Sequence, residues 1–250
     1  MSENKRMIYR EDPYVISVNT VIERITPNET NQTQTIFLNE QLLTYGGGQP
    51  MDHGTILVGD KYYKINEIVK EKGNMGYSIH CNPALKKGDY VTCHLDFKRR
   101  YKIMRQHTAQ HLIAGCLRII LGDIFTGSMK IGEEANSCTV VYPNSLSLTE
   151  NDLITALSYC QKTIQENKLI SSLTVNSEAE AVEQFGKLYR STGASGSLKG
   201  KIRLVIIDGI DVNACGGTHV RELDEIGGIQ LDRFFKLGEG SEIVFSLIDI

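Results

Sequence analysis

"RQHTAQHLIAGCLRIILG", residues 105 to 122, decides the fold. Ala109, Leu112, Ile113, Cys116 and Ile120 recur at the period of an α-helix, and Gly122 offers a stop. Such a helix is buried or half-buried. Residues four apart on it lie on one face, so His107 and His111 present two imidazoles to a single point, with small Ala114 and Gly115 following on that side. That geometry suits zinc. Thr108 stands where a metalloprotease of the HExxH type has its general-base glutamate, which disfavours peptide hydrolysis of that kind.

A second pair lies about a hundred residues downstream in "DVNACGGTHV", residues 211 to 220. Cys215 supplies a thiolate and His219 another imidazole, while Gly216 and Gly217 let the backbone fold tightly around a ligand. Either pair alone reads equally well as a satisfied core histidine or an inert cysteine. Two pairs in one chain point to a shared Cys/His₃ metal set. Four protein ligands close a zinc tetrahedron, the signature of a structural site, whereas hydrolytic zinc keeps a position for water. A catalytic site therefore needs one weak or displaced ligand, a five-coordinate ion, or His219 acting as general base.

Composition sets the frame around these motifs. A chain of 250 residues, 41% hydrophobic and 23% charged, is globular and large enough for one big domain or two ordinary ones. The N-terminus carries no apolar leader and no uncharged apolar run nears the ~20 residues of a membrane span, so a cytoplasmic protein is expected. Six cysteines scattered singly favour reduced thiols or metal ligation over disulfides. The net charge of −3 gives no global attraction to nucleic acid, and no DNA partner is expected. Any RNA contact must come from local patches. Two qualify: "DFKRRYKIMR", with Lys98, Arg99, Arg100, Lys102 and Arg105, and "KLYRSTGASGSLKGKIR", with Lys187, Arg190, Lys199, Lys201 and Arg203. Tyr101 and Tyr189 offer stacking surfaces beside them. A solvated charged face is the plainer alternative.

The chain divides near residue 100. "PYVISVNTVIERI", "DHGTILVGDKYYKINEIVKE" and "GDYVTCHLDF" read as strands broken by Gly, Asn and Pro, which makes residues 1–100 a small β domain. Residues 101–250 mix helix and strand. "TENDLITALSYCQKTIQENK" predicts a helix with Thr149 and Asp152 as an acidic capping box, and "IRLVIIDGI" and "SEIVFSLIDI" predict strands, the first buried on both faces.

"YGGGQPMDHG", residues 45 to 54, adds a tight turn of three glycines with Gln49, Pro50 and Asp52. By itself it reads as a hairpin loop. Together with the two metal motifs, in this order, it resembles the editing domain of alanyl-tRNA synthetase and its free-standing relatives, the AlaX proteins. The resemblance runs through "GGGQPMDHG", "DFKRRYKIMRQHTAQHLIAGCLRIILG", "TGSMKIGE" and "CGGTHVRELDEIGGIQL", most of the chain after residue 40. The metal motifs also suit the threonyl editing domain, but the glycine-Gln turn favours the alanyl branch.

That resemblance implies an α+β protein: a β-barrel-like glycine-motif domain, then an α+β editing domain with an antiparallel sheet and a metal-bearing helix. It implies a zinc-dependent hydrolase acting in trans on mischarged tRNA(Ala), chiefly Ser-tRNA(Ala), with Gly-tRNA(Ala) as a further substrate. His107, His111, Cys215 and His219 correspond to the metal set, and Gly46, Gly47, Gly48 and Gln49 to the amino acid pocket, with Arg105 beside it as a tRNA contact. His219, Gln49 and Thr108 are the residues expected to act on the substrate, the last two as partners for the seryl hydroxyl. An oligomer stays open.

Some stretches depart from the family. "EQLLTY" replaces the usual Thr-x-Phe-Tyr before the glycines, "ANSCTVVYP" replaces an Asp-Phe type strand, and the C-terminal "GSEIVFSLIDI" lacks paired arginines. These touch amino acid specificity and tRNA contacts. Two other classes remain: a non-catalytic tRNA-binding protein with structural zinc, and a zinc hydrolase of another aminoacyl ester or a small amide.

Overall fold

The computed structural model describes residues 5–46, 48–71, 74–80, 85–122, 124–132, 136–141, 148–190, 200–238 and 240–249, except 29–32. Gly47, Cys81 and the 191–199 loop with Lys199 lie outside the described residues. The fold is α+β and mostly strand. By its contacts the chain forms two compact units, one of residues up to 46 and 50–102, the other of Gly48, Gln49 and 103 onward.

The first unit is a closed antiparallel barrel. After a short helix α1 (Ile8–Glu11), strands β1 (Ser17–Asn28), β2 (Thr33–Leu38), β3 (Gly54–Val58), β4 (Lys61–Glu71), β5 (Asn74–Ile79) and β6 (Tyr90–Leu95) close in the order β1-β2-β5-β4-β3-β6. Period-2 alternation puts Ile22, Ile36, Ile56, Ile65, Tyr77 and Cys93 inside, each at most 2% exposed. Closure leaves no open sheet edge. Arg100 is wholly buried in this unit, where its guanidinium donates to both carboxylate oxygens of Asp52 at 2.9 and 2.6 Å and to the Leu42 carbonyl. Asp52 also accepts from the Thr44 N–H, so this ion pair staples the base of the 45–51 turn.

Helix α2 (Phe97–Leu121) begins earlier than the apolar period suggests. Asp96 caps it by accepting from the Arg99 N–H at 3.1 Å, and Gly122, at φ +82°, ends it. From 103 to 118 every residue but Arg105 is buried, so the helix is a core element rather than an amphipathic one.

The second unit contains β7 (Phe125–Ile131), β8 (Asn136–Val141), α3 (Glu150–Gln165), β9 (Ile170–Val175), α4 (Glu178–Phe185), β10 (Tyr189–Arg190), β11 (Ile202–Ile207), β12 (Asp211–Ala214), β13 (Gly228–Leu237) and β14 (Gly240–Ile248). They make two four-stranded sheets, β10-β12-β11-β9 and β13-β14-β8-β7. Pairing is antiparallel except between β10 and β12, a parallel contact that the expected antiparallel sheet did not include. The capping box of α3 is formed as its sequence predicts: Thr149 Oγ1 accepts from the Asp152 N–H, and Asp152 accepts from the Thr149 N–H.

Candidate metal centre

Gly115 fixes how closely α2 approaches the strand that carries the second motif. A Cβ there would lie 2.7 Å from Ile210 Cγ2 and 3.1 Å from Asp211 Cβ, so only glycine lets the helix press against the start of β12. That approach brings His111, one turn earlier on the same face, against Asp211. The Asp211 carboxylate meets His111 Nδ1 at 3.0 Å and is itself held by Arg118 from α2. A proton on Nδ1 leaves Nε2 with a free lone pair, and that nitrogen is buried with no partner.

β12 runs directly into the loop bearing Cys215 and His219. The loop is clamped by Arg203 of β11, whose Nη1 donates to the carbonyls of Cys215 (3.0 Å) and Gly217 (3.1 Å), while its own carbonyl accepts from the Cys215 N–H. The ligand atoms of His107, His111, Cys215 and His219 all lie within 4.8 Å of one another. Cys215 Sγ stands 3.5 Å from His107 Nε2 and 3.4 Å from His219 Nε2. A zinc tetrahedron with N and S arms has S–N edges of about 3.5–3.7 Å, so the two edges at Cys215 suit such an ion, and the Cys/His₃ donors suit it in chemistry.

The orientation of His219 follows from Thr108. The Thr108 hydroxyl has one hydrogen and donates it to the Met104 carbonyl at 2.9 Å; its lone pairs accept from the Val220 N–H at 3.2 Å and face His219 Nδ1 at 3.1 Å. His219 Nδ1 must therefore carry the proton, which turns Nε2 toward the cluster. The expectation that Thr108 meets a substrate hydroxyl changes accordingly: position 108 lies about 100° round the helix from His107 and points at His219, with its hydrogen-bonding capacity used.

The electrostatics agree with a cation site. Burial alone would raise the Cys215 thiol, but the His107 and His219 imidazoles hold it well below its ordinary value. Burial likewise disfavours charge on His111, yet Asp211 and Cys215 push it up to about 10. Burial and the neighbouring His107 drive His219 well below the usual imidazole range. Cys215 is the least buried of the four, and Gly216 beside it is exposed, so solvent reaches the cluster from that side.

Gln49 completes the surroundings. Its Oε1 accepts from the Thr218 N–H at 3.0 Å and hydroxyl at 3.3 Å, while Nε2 is buried without a partner, as is His107 Nδ1. Gly217 lies between them: a Cβ there would come within 2.4 Å of His107 Cε1 and 2.9 Å of Gln49 Oε1. Gly48, at φ +85°, sits against the Met129 carbonyl, 2.6 Å from where its Cβ would be, and its own carbonyl accepts from the Ile131 N–H. Gly46, at φ +102°, belongs to the barrel unit.

Other residues singled out from the sequence take different roles. Arg105 donates to the Ile226 carbonyl and pairs with Asp249 at 2.6 Å, which commits two of its three nitrogens within the protein. Arg100 is buried as described, and Arg203 serves the Cys215 loop. Tyr189 is 5% exposed with its hydroxyl on Glu178, and Tyr101 stacks on Phe97 with centroids 5.7 Å apart. Asp211, Arg118 and Thr218 carry no expectation from the sequence, and Arg203 clamps the Cys215 loop where the sequence suggests a phosphate patch. Asp211 is the first residue of β12, four residues before Cys215.

No helix among the described residues is long and apolar enough to cross a membrane. Residues 202–243 match the family described as "Threonyl and Alanyl tRNA synthetase second additional domain". The chain is 30% identical to an alanine–tRNA ligase of Ignicoccus hospitalis over 94% of its own length and 25% of the ligase, and 31% identical to that of Methanosarcina acetivorans over 98% and 26%. It therefore spans about a quarter of the ligases it matches. It is 28% identical to an alanyl-tRNA editing protein AlaX-M of Methanosarcina barkeri, over 97% of this chain and 98% of that protein. The resemblance read from the motifs thus extends over nearly the whole chain.

Proposed function

We propose that this protein deacylates mischarged tRNA(Ala) in trans, chiefly Ser-tRNA(Ala) with Gly-tRNA(Ala) as a further substrate, at a zinc site formed by His107, His111, Cys215 and His219. One observation carries the reading: four donor atoms from two distant motifs meet within 4.8 Å, in a chain similar along its length to proteins named for alanyl-tRNA editing. Zinc held there would polarise the ester carbonyl or lower the pKa of a water near it. An aminoacyl ester is already activated, so positioning and charge stabilisation suffice.

The protein's own groups divide the remaining work. Asp211 and Thr108 hold His111 and His219 with Nε2 toward the ion. Gln49, its Oε1 anchored by Thr218, has Nε2–H₂ left to donate to the seryl hydroxyl. An alanyl or a glycyl group offers no such oxygen and leaves that donor unpaired, at a cost of about 1–3 kcal/mol, which is the sense in which the site favours Ser-tRNA(Ala) over both and makes Gly-tRNA(Ala) the lesser substrate. Gln49→Ala should accordingly slow hydrolysis of Ser-tRNA(Ala) by ~10-fold or more and leave that of Ala-tRNA(Ala) unchanged or raised. Equal losses on both would reduce Gln49 to a support.

The full test is to incubate zinc-loaded protein with Ser-, Gly- and Ala-tRNA(Ala) and follow deacylation. Loss of the seryl ester with the alanyl ester spared is the expected outcome. Four protein donors, enough to close a zinc tetrahedron, favour a second reading, structural zinc in a tRNA-binding protein, which predicts tRNA binding with no ester hydrolysis. Hydrolysis of small esters without tRNA would point to the third class.

A further inference from the structure

The barrel carries a cavity of about 510 Å³ on its outer wall, lined by residues of the first unit that have no part in the metal centre. Strand register explains how it is built. Asn19 of β1 pairs with Thr92 of β6, which pairs with Leu57 of β3, and one step along the same face Val21 pairs with Tyr90. Residues 91 and 93 point into the barrel core, so 90 and 92 point out. Asn39 and Glu40, which follow β2, and Gly59 close the remaining sides.

The lining is selective. Tyr90 stands 83% exposed at the rim, far more than a structural aromatic needs, and offers a flat stacking face. Val21 and Leu57 supply apolar contact. Glu40 holds the Thr20 hydroxyl with Oε2 at 2.6 Å, leaving Oε1 as an acceptor, and Asn19 takes the Thr92 hydroxyl on Oδ1, leaving its amide N–H₂ as a donor. Among the described residues no lysine or arginine lines the cavity, and a carboxylate repels phosphate. A planar ring with N–H donors on its edge and an acceptor beside them satisfies every group named.

We infer that this cavity binds a nucleobase, stacked on Tyr90 with its edge N–H groups on Glu40 and a ring acceptor on Asn19. Guanine, which presents N1–H and N2–H₂ side by side to one carboxylate, fits it best. The base arrives either on a free nucleotide or as an unpaired residue of an RNA strand. Binding here is independent of the metal centre, so its presence or absence leaves the deacylation reading untouched.

The test is a titration of the ¹⁵N-labelled full chain with GMP, CMP and UMP, followed by amide shifts. Shifts confined to residues 19–21, 39–40, 57–59 and 90–92, strongest with GMP, are expected. Tyr90→Ala should weaken GMP binding by ~10-fold, and since that side chain is exposed the variant keeps its fold. Glu40→Gln should remove the preference for GMP. A single-stranded oligoribonucleotide containing one guanosine distinguishes the sources: binding at least ~10-fold tighter than GMP assigns the site to RNA, and equal binding assigns it to the free nucleotide. Absence of shifts at these residues up to millimolar GMP, or shifts indifferent to Tyr90→Ala, would overturn the assignment.

Discussion

Thr108 has one hydrogen to give and gives it to Met104, which obliges it to accept from His219. Thr108→Val keeps the shape and leaves the His219 Nδ1–H buried without an acceptor, at about 1–3 kcal/mol, so zinc affinity should fall ~10–100-fold. Chelator competition measures the loss, NMR of the metal-free protein should show His219 losing its single tautomer, and Thr108→Ser should restore both; an unchanged tautomer would remove Thr108 from this role. His111 supports a pH prediction. Burial works against its charge, but Asp211 and Cys215 push it up to about 10, while the His107 and His219 imidazoles hold the Cys215 thiol well below its ordinary value. At pH 7.5 an ion reaching Nε2 must therefore displace about one proton, and affinity rises about tenfold per pH unit up to roughly 10 and falls as pH drops. Zinc added to weakly buffered protein with a pH indicator reads that proton directly, and no release would mean that His111 is not displaced.

At the scale of elements, Thr149 and Asp152 form a reciprocal cap at the start of α3, an exposed feature with few other partners. Thr149→Ala should lower stability by about 1 kcal/mol in urea unfolding with the slope unchanged, and Thr149→Ser should cost a few tenths. That cap was legible because its signal is local, two residues three apart before an apolar period. The core of α2 was legible for the same reason, and so was β11, whose apolar run at 204–207, after Arg203, matches a strand with buried residues on both faces. The start of α2 was not: Asp96 is an ordinary N-cap, but the five cations that follow read as a phosphate patch, and burial of Arg100 against Asp52 depends on a residue 48 positions away. The same distance hid Asp211 and Arg203, whose roles exist only once β12 pairs with β11 and α2 meets β12. Spacing placed two imidazoles on one helical face, but convergence of the second pair came from resemblance, since no local rule brings residues a hundred apart together.

Over the whole molecule, each unit has a hydrophobic cluster of its own. Ile22, Ile36, Leu38, Ile56, Ile65 and Tyr77 belong to a hydrophobic cluster made wholly of barrel residues, and Val175, Leu204 and Val212 to one made wholly of the second unit. All four candidate ligands lie in the second unit, with Cys215 and His219 on a loop that Arg203, Thr108 and Gln49 also tether. Metal removal should therefore be felt there and not in the barrel. Two of the four ligands it leaves without an ion, Cys215 and His219, are carried by the same 211–220 segment that contains β12 and meets α2 at Gly115. An ion present at 100 times its Kd contributes about 2.7 kcal/mol to the unit that binds it and nothing to one that does not. Hydrogen exchange on chelated and zinc-loaded protein should show amides of β11, β12 and 103–118 losing protection by that order, while those of β1, β2, β5 and β6 keep theirs. Cys215→Ala should reproduce the chelated pattern with zinc present. Loss of barrel protection in either case would mean that the ion holds the whole chain together, and structural zinc would then be the better account of the site.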